Sequence, residues 1–213
     1  MSNTIKIIVF VAVALVAGAL IHFGLDKYNA HREKVRDKAM VNAVDKKTAE
    51  IKANAAKNYP NEPDAIAYQK EAAAEAGSAI QNAGSAEGRR NTAVGAFYGF
   101  YLVNVRSRVD YCIRQGVNID AFTTPSKSNN APVLAVAAPL LTTMGMDQDK
   151  LYATLKTQIS DMVETDMKGI AANSKTDAKG ACQLMATNGG AIAEQMRFSK
   201  MLPEAYQVLM GAQ

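Results

Sequence analysis

IIVFVAVALVAGALIHFGL, residues 7–25, carries no acidic or basic side chain and one titratable group, His22. Wound as an α-helix at 1.5 Å per residue, the stretch spans roughly 28 Å, close to the hydrocarbon thickness of a bilayer. Nothing later in the 213-residue chain matches it. The rest of the chain is therefore either tethered by this segment or exported by it. A cleaved signal peptide would use Ala17-Gly18-Ala19 as its small-residue site and leave Leu20 as the first residue. The apolar run continues through Ile21, Phe23 and Leu25, so such a chain would begin on a greasy end. An uncleaved transmembrane anchor over residues 1–25 is the expectation.

Charge is concentrated just beyond the anchor. The formal net charge of the chain is +4, and residues 26–57 hold nine basic and five acidic side chains, which accounts for the whole excess. The remainder is near neutral, which argues against a nucleic-acid footprint. Lys27, Arg32, Lys34, Arg36 and Lys38 are expected to lie at the membrane surface, where anionic head groups relieve the repulsion of Arg32/Arg36 and Lys34/Lys38. Two topology signals disagree. The flanking basic residues point to a cytoplasmic domain. The signal-anchor character and a cysteine pair point outward, and a periplasmic or extracytoplasmic domain is the expectation.

Residues 26–58 read as a polar helix continuing the anchor. Helix formers dominate and no proline interrupts before Pro60. Val41, Val44, Ile51 and Ala55 form a narrow apolar stripe with Thr48 inside it. A stripe this thin suits a stalk that docks on a partner protein or on another copy of the chain. Asn58-Tyr59-Pro60-Asn61-Glu62-Pro63 then breaks the helix, and the boundary between stalk and a globular domain over 63–213 is expected there.

The globular part reads as helices throughout. It is rich in Ala and lacks alternating Val and Ile. A first helix follows Pro63 and runs to about Asn82. Residues 89–115 are the best core candidate, with Val94, Phe97, Tyr98, Tyr101, Leu102, Val105, Val109 and Cys112 recurring at threes and fours. The polar face expected for that helix carries Arg90, Asn91, Asn104, Arg106, Arg108 and Arg114, with Gly116 as a left-handed cap. Residues 117–130 read as a loop, and 132–144 as an apolar helix kinked at Pro139. Asp147 caps a further helix striped by Leu151, Leu155, Ile159, Met162, Val163 and Ile170. Shorter helices follow over 178–188, 191–201 and 204–210. The fold class expected is all-α: a transmembrane helix, the long polar helix, then a small bundle of about five or six helices.

Cys112 and Cys182 are the only cysteines. In an exported chain an even count suggests a disulfide, here closing a loop of about 70 residues, for which chain entropy gives on the order of 4 kcal/mol.

Chemistry is poorly supported. His22 and His31 are the only histidines, and both precede the globular part. The usual base for a Ser or Cys nucleophile and the commonest metal ligand are thus missing there. No cofactor, metal or catalytic motif is present. Asp161 and Glu164 share a helix face, as a glycosidase pair would, but charged helix faces rarely do chemistry. The function expected is a non-enzymatic, membrane-anchored structural or accessory subunit of a cell-envelope assembly. The alternative is a domain that binds a lipid or other apolar small molecule in a pocket lined by Met144, Met162, Met185 and the aromatic helix.

Overall fold

The computed structural model describes residues 30–211. Among them 85% are helical and none is in a strand. The elements in order are α1 (Ala30–Asn58), α2 (Asp64–Gln81), α3 (Ala86–Tyr101), a π-helical turn (Leu102–Ser107), α4 (Arg108–Arg114), α5 (Asp120–Thr143), α6 (Gln148–Asn173), α7 (Ala178–Thr187), α8 (Gly189–Gln195), α9 (Phe198–Met201) and α10 (Pro203–Met210). No helix among the described residues is long and apolar enough to cross a membrane. The anchor expected over residues 1–25 lies outside the described residues.

The centre of the domain is α3. Ser85 starts it, its hydroxyl accepting from the Gly88 amide at 2.9 Å. From Thr92 to Val105 every residue is buried. A helix covered on all sides needs neighbours all round, and α2, α5 and α10 pack against α3 while α6 covers the π-turn. Phe97 meets Phe198 edge to face at 5.1 Å, so the aromatic residues are core, not a stacking box. Asn104 and Arg108, expected on a polar face, are buried as well. Gly116 takes the left-handed conformation that ends this helical unit, at φ +72°.

The polar helix is not a stalk. Val44, Ile51 and Ala55 are at most 2% exposed and belong with Met40 to the buried interior of this same domain. Val41 is half-buried against it. Docking of a separate protein along this stripe is therefore corrected: α1 folds against α2 and α6 of its own chain. The physical reason lies in α2. Its buried face is Ala67, Ala72, Ala76 and Ile80, and small side chains let a narrow stripe come close enough to bury itself fully. Burial of Ile51, Val44 and Met40 stabilises by about 1.5–3 kcal/mol each. Polar contacts reinforce the hairpin: Asn58 Nδ2 donates to Glu71 Oε2 at 2.9 Å, and Lys47 pairs with Glu75. The break at residues 59–63 is thus the loop of a helical hairpin and not a domain boundary.

A second correction concerns residues 117–130, which are not a loop over most of their length. Helix α5 runs through Pro125, Pro132 and Pro139. Spaced by seven, the three prolines share one face. The carbonyls they deprive of a partner belong to Ala121, Ser128 and Ala135; Ser128 and Ala135 are exposed, so water can replace their lost bonds, while the Ala121 carbonyl packs against α8 at Gly189. At its start α5 touches α8 backbone to backbone. A Cβ on Gly189 would lie 2.3 Å from the Ala121 carbonyl carbon and the Phe122 nitrogen, which is why that position has no side chain.

Helices α6 and α7 are capped by Asp147 and Asp177, which accept from the Lys150 and Gly180 amides at 2.8 and 2.7 Å. Cys112 on α4 is bonded to Cys182 on α7, their Cα atoms 5.5 Å apart. The bond fastens the end of the central helical unit to the C-terminal third of the chain.

Candidate functional site

Where α1, the hairpin loop, α2 and α6 meet, a groove of about 990 Å³ opens to solvent. Helix α1 contributes Asp45, Thr48, Ala49, Lys52, Ala55 and Ala56, positions three and four apart on one face. Tyr59, Pro60, Glu62 and Pro63 close one end, and Asp64, Ala67 and Tyr68 follow from α2. The opposite wall is α6, which lends Gln158, Asp161, Met162, Thr165, Asp166, Gly169, Ala172 and Asn173. The space exists because the facing positions are small. Ala49, Ala56, Ala67, Gly169 and Ala172 cannot fill the gap left between three helices. A smaller hollow of about 340 Å³ lies between α2 and the start of α10, beside Glu204.

The walls of the groove are apolar and its edges acidic. Glu62 is held by Lys70 at 2.5 Å. Asp166 is held by the fully buried Arg108, whose Nη2 donates to Asp166 Oδ2 at 3.0 Å and to Asn104 Oδ1 at 3.0 Å. Asn104 in turn donates to the Phe100 carbonyl at 2.9 Å. A π-turn is often retained at functional positions, and here it carries Asn104, the residue that steadies the arginine under the groove. Asp45, Asp64 and Asp161 are exposed and have no ion pair among the described residues. Among the described residues, Lys52 is the sole basic side chain lining the groove.

Two hydroxyls sit at the base of the groove. Tyr68 Oη and Thr48 Oγ1 are buried, and neither has a hydrogen-bond partner among the described residues. Burial pushes the Tyr68 phenol up to about 12; the adjacent Thr48 hydroxyl pulls the other way, and the Asp166 charge adds to the rise. Thr48 is thus close enough to influence Tyr68, yet the two oxygens miss hydrogen-bond geometry. The phenol stays protonated through the neutral range and remains a donor.

The residues singled out from sequence are distributed unevenly. Lys27 lies outside the described residues. Arg32 falls on the first turn of α1. Lys34 and Lys38 reach solvent from the same part of the helix. Arg36 is turned onto the domain beside Gly145 and Asp37, the latter at 3.7 Å. Of the methionines expected to line a pocket with the aromatic helix, Met185 is core, Met144 packs against the core, and Met162 lines the groove. Asp161 lines the groove but Glu164 does not; Glu164 pairs with Lys168 at 2.7 Å, which holds its carboxyl below the usual range. No group of three or more potential ligands among the described residues could hold a metal ion.

Sequence reading missed Asp45, Thr48, Lys52, Asp64, Tyr68 and Asp166 as a set. They lie on three helices, and only the fold-back of α1 brings them together. The available signal was Thr48, a polar residue within an apolar stripe. Compared with family models, curated proteins and solved structures, the chain matches none.

Proposed function

We propose that the chain is a membrane-anchored, non-enzymatic accessory subunit of a cell-envelope assembly, with its helical domain on the extracytoplasmic side, and that it works by holding a partner in the groove between α1, α2 and α6. The observation that carries this reading is the groove itself, about 990 Å³ with apolar walls, acidic edges and two buried hydroxyls at its base. The Cys112–Cys182 bond supports the extracytoplasmic placement, since such bonds persist in oxidising compartments. Asp45, Asp64 and Asp161 weigh against a purely apolar ligand, because a lipid tail would leave them without counter-charges.

The test has two arms. Freshly isolated full-length protein, labelled under denaturing, non-reducing conditions, is expected to show no reactive thiol; two per chain would overturn the placement. Ala56 is exposed and lines the groove. Ala56→Trp should fill the groove while leaving the melting temperature within about 2 °C, as surface substitutions do. Native mass spectrometry in mild detergent should then show a bound partner on the wild type and its loss from the variant. Equal occupancy of both would overturn the groove reading.

A further inference from the structure

We propose that the occupant of the groove is an extended basic segment of a protein partner, its lysine or arginine side chains meeting Asp45, Asp64 and Asp161. The proposal rests on the groove being the binding face and adds the chemistry of what binds. Charge complementarity is its first support. Of the carboxylates that line the groove, Glu62 and Asp166 already have cationic partners, whereas Asp45, Asp64 and Asp161 have none among the described residues. These three sit on three different helices, so they are spread around the groove and not stacked at one point. One lysine, Lys52, opposes them. A cationic occupant would be drawn in and held in register by three separate contacts.

The second support is shape. From Asp45 to Ala56 the α1 wall runs about 16 Å at 1.5 Å per residue, the length of about five residues of extended chain. Small-molecule sites enclose most of their ligand within roughly 300–1,000 Å³. This groove has the upper volume and opens to solvent, which suits a segment of extended chain laid into it. The stems of lysine or arginine would lie along Ala49, Ala56 and Met162 with their charges at the acidic edges.

The experiment uses the full chain in a neutral detergent at low ionic strength. The probe is a fluorescein-labelled short peptide alternating lysine and alanine, with a glutamate–alanine peptide of equal length as control. Anisotropy should report saturable binding of the lysine peptide only, weakened by added salt. The Asp45→Asn, Asp64→Asn, Asp161→Asn triple variant should bind about tenfold or more weakly. Failure of the lysine peptide to bind, or equal binding by the triple variant, would overturn the proposal. So would displacement by spermine as effective as by unlabelled peptide, since that marks a site for small polycations. Should Ala56→Trp abolish partner binding in native mass spectrometry while the lysine peptide shows none, the basic chemistry fails and the groove reading stands.

Discussion

Replacing Val44 and Ile51 together by Asp is expected to lower the melting temperature of the protein by about 15 °C or more. Both side chains are essentially inaccessible, at 2% and 0% exposure. Each substitution removes apolar burial worth about 1.5–3 kcal/mol and places an unpartnered carboxylate in the interior, a further cost of several kcal/mol. Two such losses are comparable with the whole stability of a domain, about 5–15 kcal/mol. For a chain of this size about 1 kcal/mol corresponds to 2–4 °C. Thermal unfolding followed by circular dichroism is the measurement, with Lys46→Ala, on the exposed face of the same helix, as the control expected to change little. A double variant that melts like the wild type would restore the stalk.

Truncating Arg108 to Ala is expected to cost about 3–5 kcal/mol, because it strands the Asp166 carboxylate with its cation gone. The guanidinium is 0% exposed, and its Nη2 joins Asn104 on the π-turn to Asp166 on α6. The loss should appear as a fall of about 10 °C in melting temperature. Asp166 also lines the groove, so the same variant should weaken binding there. Replacing both partners with apolar residues of similar volume, Arg108→Met with Asp166→Leu, should be markedly milder than Arg108→Ala alone, since no buried charge is left behind. If the double replacement is as damaging as the single one, the site is sensitive to shape and the ion pair is not its main support.

The helical class was legible because its signals are local. The helix through Phe97, the 3.6-residue periodicity along Leu151–Ile170, the Asp147 cap and the Gly116 terminator all read correctly from a few neighbouring residues, whereas the polar face expected on the Phe97 helix did not, since every residue from Thr92 to Val105 is buried. The cysteine pair was legible from count and context. Three features were not, and each depends on residues far away in sequence. The stripe at 44, 51 and 55 looked too thin to be core because Met40 was left out of it and because its partner face is made of alanines. The first half of α5 looked like a loop because residues 123–130 are polar, while residues 132–144 read as a helix; that one helix runs through Pro125, Pro132 and Pro139 becomes visible only in the fold. Arg108 looked like a surface residue because its partner, Asp166, is on another helix. The groove was missed for the same reason, being bounded by α1, α2 and α6 together.

The groove has a wall on this side only because α1 is part of the domain's cooperative core. Native-state hydrogen exchange of the full chain in detergent tests this most directly, residue by residue. Amides of Met40 to Ala55 are expected to exchange only through global opening, with protection equal to that of the central Thr92–Val105 segment. Exchange of Met40 to Ala55 at the rate of a solitary polar helix, while the Thr92–Val105 segment stays protected, would contradict it.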